Sequence, residues 1–193
     1  ARPSFPDTFN MADYFLDQRV RDGLGDKVAV YDDHGSYTYN QLVEQSERVC
    51  GALWQVDIRP EDRCLIGLHD SAQFVSSFFG ILKAGAVVAM VNPELPTEDY
   101  LYYLRYTRCR VLLAEAELVL RIAPLLPDCD CLRAIVLVGD SDLSLVGTAR
   151  IPSHIQIVPW DLVQTTPRRG TYPTSKDDPA MWLFTSGSTG KPK

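Results

Sequence analysis

Thr185, Ser186, Gly187, Ser188, Thr189, Gly190, Lys191, Pro192 and Lys193 follow a short apolar run of Met181, Trp182, Leu183 and Phe184. Glycine lets the backbone take positive φ and come close to a ligand. Successive N–H groups in such a turn form a concave anion-binding surface. The hydroxyls of Ser186, Ser188 and Thr189 and the ammonium groups of Lys191 and Lys193 add donors that suit phosphate. The chemistry that fits this composition is the holding of phosphate oxygens. The spacing is not that of the Walker loop, because only Ser188 and Thr189 separate Gly187 from Gly190 and Pro192 follows Lys191. Nor does it contain a Gly-x-Gly-x-x-Gly string. A Ser/Gly-rich surface turn between two strands has a similar composition.

Such a loop needs a scaffold, and the rest of the chain supplies one. Residues 181–185 read as the strand that leads into it. Asn10 is a plausible cap for a helix carrying Tyr14, Phe15 and Leu16, which ends at Gly23 and Gly25. Residues 27–33 and 37–39 read as two strands around a turn at His34 and Gly35. Thr38 with Gln41 predicts a capping box, opening a core-facing helix with Leu42, Val49, Leu53 and Trp54. Strands follow at 63–68, 87–91, 111–114, 134–138 and 155–158. Helices are predicted from Asp70 or Ser71 to Gly85, over 97–107 and over 115–126, with one helical turn at 160–163. Tyr100, Tyr103 and Tyr106 make an aromatic stripe on the second of these helices, a pattern that serves packing more often than a pocket. Residues 139–152 read as a loop.

Short apolar strands alternating with helical crossovers predict an α/β fold, a mostly parallel sheet with helices on both faces. The expected organisation is a body at 1–164, a connecting loop at 165–179, mobile and at the surface, and the strand and phosphate loop at 180–193. Asp177 and Asp178 read as solvated acids rather than metal ligands.

Composition limits the function classes. Of the 193 residues, 46% are hydrophobic and 23% charged, as in ordinary globular proteins, and the net charge is −6. An acidic chain gives no reason to expect nucleic acid or an anionic membrane as a partner. The longest apolar stretch, 78–91, is broken by Lys83 and too short to span a bilayer. Cys50, Cys64, Cys109, Cys129 and Cys131 show no disulfide or zinc spacing, and His34, His69 and His154 are scattered. Reduced, mostly buried cysteines and no apolar leader at Ala1–Ser4 point to the cytoplasm.

The string Thr185-Ser186-Gly187-Ser188-Thr189-Gly190-x-Pro192-Lys193 resembles, at every fixed position, the phosphate-binding signature of the adenylate-forming superfamily. That superfamily includes acyl-CoA and aryl-CoA synthetases, nonribosomal peptide synthetase adenylation domains and luciferases. Lys191 falls at its variable position. Asp26-Lys27-Val28-Ala29-Val30 with Tyr37-Thr38-Tyr39-x-x-Leu42, and Leu82-Lys83-Ala84-Gly85-Ala86-Val87-Val88 closing on Val91-Asn92-Pro93, resemble further blocks of acyl-CoA synthetases. The opening 9–16 is similar to benzoate-CoA and related aryl-CoA ligases, including those for anthranilate.

The resemblance implies an enzyme that activates a small carboxylic acid, of the benzoate or anthranilate type, with ATP and Mg²⁺ and passes the acyl group to coenzyme A. Thr185, Ser186, Gly187, Ser188, Thr189, Gly190 and Lys193 would hold the β- and γ-phosphates, the loop being mobile without nucleotide. The adenine and acid pockets and the catalytic lysine belong to later parts of the family's fold. The expectation is therefore an N-terminal portion of a larger ligase, inactive alone, with an uncovered sheet surface that would favour a homodimer. Readings left open are an amino-acid adenylation domain, a fatty acyl-CoA ligase, and a non-catalytic α/β nucleotide-binding module.

Overall fold

The computed structural model describes residues 4–139 and 143–184. Among these residues six strands form one sheet and two form a separate hairpin. The hairpin joins β1 (Val28–Asp32) to β2 (Gly35–Thr38) in antiparallel register. The carboxylate of Asp32 accepts the His34 and Gly35 amides at 2.8 and 3.0 Å and so closes the turn. Its other oxygen accepts the Ala72 amide at 3.0 Å, fastening the hairpin to the body.

The main sheet contains β3 (Arg63–Gly67), β4 (Val87–Met90), β5 (Val111–Ala114), β6 (Ala134–Leu137), β7 (Gln156–Pro159) and β8 (Met181–Trp182). Its order is β7-β6-β5-β3-β4-β8, and every pairing is parallel. Strands buried on both faces read as continuous apolar runs, which is why β3, β5 and β6 stand out in the sequence.

The helices are α1 (Tyr39–Gln55), α2 (Ala72–Lys83), α3 (Thr97–Thr107), α4 (Ala116–Ile122), α5 (Leu143–Thr148) and α6 (Trp160–Thr165). Thr38 and Gln41 form the predicted capping box on α1, and Ser71 caps α2 by accepting the Phe74 amide at 3.1 Å. Strand side chains alternate between faces. Cys64, Ile66, Val111, Leu113 and Val136 meet Val49, Leu53, Ile81 and Val163 from α1, α2 and α6. Leu65, Leu112, Ala114 and Ile135 meet Tyr100, Leu104, Leu118 and Ile122 from α3 and α4. Complete burial of such side chains contributes about 1.5–3 kcal/mol each, before conformational entropy is subtracted.

The local differences from the sequence reading have physical causes. The first helix winds as two π-type stretches, Asp13–Asp17 and Val20–Leu24, and Gly23 takes φ +81° where it turns. The helix expected to 126 ends at Ile122 and tightens into a 3-10 stretch, Ala123–Asp128, where Pro124 and Pro127 cannot donate i→i−4 bonds. Residues 139–152, expected as a loop, include α5. Four cysteines are buried and all five are free. Burial pushes the thiols of Cys50 and Cys109 up to about 12 and that of Cys129 up to about 11. They behave as small apolar side chains, with Cys131 alone exposed.

Candidate functional site at the carboxyl edge of the sheet

Strand order sets where a ligand can sit. From β3 the chain moves to β4 on one side and then crosses to β5 on the other. Open α/β sheets bind ligands outside the carboxyl ends of their strands at such a reversal. β8 lies beside β4, pairing Val88 with Met181 and Ala89 with Trp182. Because the pairing is parallel, Leu183 and Phe184 leave at the same carboxyl edge. The strand predicted over 181–185 is shorter, stopping at Trp182.

The predicted phosphate contacts Thr185, Ser186, Gly187, Ser188, Thr189, Gly190 and Lys193 lie outside the described residues, as does the end of the predicted strand. The described residues do place the point from which that loop departs. Phe184 packs edge-on against Tyr103, with ring centroids 4.7 Å apart, and lies 6.1 Å from Tyr106. The tyrosine stripe of α3 is thus divided. Tyr100 and Tyr103 are buried, whereas Tyr106 is 56% exposed and faces the departing segment. An open groove of about 800 Å³ runs along β8, lined by Arg63, Tyr106, Arg108, Trp182, Leu183 and Phe184. The outer edge of β8 pairs with no strand among the described residues.

The connection into β8 runs at the surface, as the sequence suggested, and is fastened there to the body. Its Arg169 amide donates to the Glu47 carbonyl at 3.0 Å and its Tyr172 amide to the Lys83 carbonyl at 2.7 Å. The Thr174 hydroxyl donates to the Phe9 carbonyl at 2.6 Å, and Phe9 returns an amide to the Thr174 carbonyl at 2.8 Å. The Arg169 guanidinium stacks 3.7 Å over the Trp54 ring, giving that α1 side chain a partner beyond the core. Asp178 accepts the Ser175 amide at 2.8 Å and so shapes a turn. Two glycines admit this segment. A Cβ on Gly51 would stand 2.2 Å from the Pro167 carbonyl oxygen, and one on Gly85, which has φ +75°, would stand 2.8 Å from the Tyr172 ring.

Beneath the segment lies a charge to which the sequence reading gave no role. Lys83, at the end of α2, is completely buried. Its ammonium group donates to both Asp17 oxygens at 2.5 and 2.6 Å and to the Thr171 hydroxyl at 3.1 Å. Thr171 in turn donates to Asp17 at 2.8 Å.

His69 is not isolated either. At the end of β3, its Nδ1 lies 2.9 Å from the Glu115 carboxylate and its Nε2 3.0 Å from that of Glu94. The three residues come from the carboxyl ends of β3, β5 and β4. Carboxylates only accept, so both contacts are hydrogen bonds when the ring carries both protons. Hydrogen bonding to Glu115, partly opposed by desolvation and reinforced by Glu94, raises the His69 pKa above its ordinary value. Among the described residues no group of three or more His, Cys, Asp or Glu side chains could hold a metal ion, and no helix is long and apolar enough to cross a membrane.

Comparison with known proteins extends these observations. A family described as AMP-binding enzyme matches residues 16–193. A benzoate–CoA ligase of Thauera aromatica is 32% identical over 97% of the chain, which spans 34% of that protein. A 4-hydroxybenzoate–CoA/benzoate–CoA ligase of Rhodopseudomonas palustris is also 32% identical, over 96% of the chain and 32% of its own length. The solved structure of the anthranilate CoA ligase AuaEII in complex with anthranoyl-AMP superposes with a TM-score of 0.85 at 26% identity, covering 98% of the chain and 34% of that structure. The chain therefore spans about a third of the length of these relatives.

Proposed function

Since the chain belongs to the family of AMP-binding enzymes, we propose that it is an N-terminal portion of an AMP-forming aryl-CoA ligase. The parent activates an aromatic carboxylic acid of the benzoate or anthranilate type and transfers it to coenzyme A. The observation that carries this reading is the string from Thr185 to Lys193, following a strand that exits at the carboxyl edge of a parallel sheet. The names of the similar ligases support the acid class. The proposed organisation is a body at 1–164, a connection at 165–179 and the strand with its loop at 180–193.

A carboxylate is a poor electrophile. Its attack on the α-phosphate of ATP forms an acyl-adenylate and releases pyrophosphate, and the thiol of coenzyme A then displaces AMP. Such phosphorus chemistry depends chiefly on positioning and charge stabilisation. The hydroxyls of Thr185, Ser186, Ser188 and Thr189, the amides of Gly187 and Gly190, and the ammonium group of Lys193 hold the β- and γ-phosphates. Charge-assisted hydrogen bonds contribute roughly 1.5–3 kcal/mol each. Ordering a glycine-containing loop costs about 1–2 kcal/mol per residue, which offsets part of that gain. Mg²⁺ enters as the companion of ATP and is assigned no ligand among the described residues.

With a third of its relatives' length, the 193-residue chain is expected to have almost none of the parent's rate, because groups acting together lose far more than their share when separated. The edge of β8 that pairs with no strand among the described residues, and the groove beside it, favour self-association, a homodimer being the simplest form. The buried thiols fit a cytoplasmic enzyme. The test of the loop is acid-dependent ATP–pyrophosphate exchange by the full-length ligase. Lys193→Ala and Gly187→Ala are each expected to lower the exchange rate. Unchanged rates in both variants would withdraw the loop from the phosphates.

A further inference from the structure

The buried lysine at the end of α2 lacks an assigned task. A lone buried ammonium is costly, and even a well-made buried ion pair is often no more stabilising than an apolar substitute of the same volume. Such a pair is best justified where it specifies one arrangement of the chain. Lys83, Asp17 and Thr171 come from three segments separated by 66 to 154 positions, namely α2, the first helix and the connection into β8. Thr171 is the member that links the pair to the connection. Its hydroxyl lies 3.1 Å from the ammonium group and donates to the carboxylate at 2.8 Å. The next amide, that of Tyr172, bonds the Lys83 carbonyl itself. Asn10 donates to the Leu82 carbonyl at 2.8 Å and to the Tyr172 carbonyl at 3.1 Å, so the same end of α2 is gripped from two sides. From this point the segment runs to Ala180, whose carbonyl accepts the Val88 amide at 3.0 Å and starts the β4–β8 pairing.

We infer that Lys83 is a positioning residue: with Asp17 and Thr171 it fixes where the connection crosses the body, and thereby where β8 joins the sheet and where its loop begins. The part concerning the loop rests on the phosphate-binding reading above, whereas the part concerning the connection does not. The arrangement separates stability from position. Replacing both charged members by apolar residues removes the pair without stranding a charge. Thr171→Val is closer still, keeping the ion pair and the side-chain volume while removing the bridging hydroxyl.

The test has two arms. In the 193-residue chain, hydrogen exchange is followed at the amides of Tyr172 and Thr174 and across β3 and β5, in Thr171→Val and in the Lys83→Met/Asp17→Leu pair. The expected result is exchange at least about tenfold faster at the connection with β3 and β5 unchanged, the pattern of local rather than global opening. Faster exchange everywhere in equal measure, or none at the connection, would overturn the inference. In the full-length ligase, Thr171→Val is expected to raise the KM for ATP several-fold with kcat nearly unchanged. Faster exchange at the connection with an unaltered KM would refute positioning of the loop. Absence of pyrophosphate exchange in the unsubstituted ligase would instead count against the proposed reaction, and the first arm would still decide on the connection.

Discussion

β3 and β8 belong to one sheet and are held in different ways. β3 has hydrogen-bonded neighbours on both sides, and Leu65 and Ile66 are completely buried on opposite faces. Its position is secured by many apolar contacts on both faces. Among the described residues β8 has two residues, both only partly buried, and one strand neighbour. Its position depends on a segment without regular structure, fastened by a few polar contacts to α1, to the end of α2 and to the residues around Phe9. The interior is specified by a distributed hydrophobic pattern. The edge that carries the candidate loop is held by fewer apolar contacts and by directional bonds, and a single substitution is expected to loosen it.

The contrast can be broken most forcefully at Lys83. Lys83→Met leaves the Asp17 side chain, 15% exposed, without its counter-ion, and breaking a buried pair costs about 3–5 kcal/mol. Denaturant unfolding is expected to show that loss, and hydrogen exchange is expected to rise at Tyr172 and Thr174 before it rises in β3. Simultaneous loss of protection throughout the sheet would erase the distinction between the two regions. Leu112→Ala probes the other side. Leu112 is completely buried in β5, so truncation should cost about 2–5 kcal/mol through lost transfer energy and the cavity left behind. Here protection is expected to fall across β3, β5 and β6 together, with the connection following the global change.

The smallest effect concerns pH at the carboxyl edge. His69 has a raised folded-state pKa, first through its bond to Glu115 and further through Glu94. Its stabilising contribution is therefore complete below the unfolded value near 6.5 and is lost as pH rises through the higher folded value. The ring is 54% exposed, so solvent screens much of this interaction. NMR titration should place the His69 ring above an ordinary histidine, and Glu115→Gln should lower it more than Glu94→Gln. His69→Gln should remove the small fall in melting temperature over that pH window. An ordinary His69 titration in the unsubstituted chain would contradict the paired bonds to Glu115 and Glu94.

What was legible in the sequence follows the same division. β3, β5 and β6 appear as continuous apolar runs, and the Thr38–Gln41 cap is legible because its partners are three positions apart. The parallel sheet with helices on both faces follows from these local signals. The pairing of Asp17 with Lys83 spans 66 positions and that of His69 with Glu115 spans 46, and neither leaves a local pattern. The connection around Arg169 and Tyr172 reads as a solvated loop because its residues are polar. Its amides and hydroxyls instead bond backbone and side-chain groups of the body. α5 was missed for another reason: six residues beside Ser, Asp and Gly give little helical periodicity. The candidate site itself was legible in a single string, since Gly187, Gly190 and their hydroxyl-bearing neighbours are contiguous. Lys83 and the α3 tyrosines stand in the sequence as a break in an apolar run and an aromatic stripe, but their partners Asp17, Thr171 and Phe184 are visible only once the chain is folded.

The central claim is that the loop after β8 serves the activation of an aromatic acid. The most direct measurement supplies the full-length ligase with ATP, Mg²⁺ and coenzyme A together with benzoate, anthranilate, a fatty acid or an amino acid, and quantifies AMP and thioester. The account predicts AMP and an aryl thioester in equal amounts from benzoate or anthranilate, with much lower turnover of the other acids. ADP instead of AMP, or a clear preference for the fatty acid or the amino acid, would contradict it.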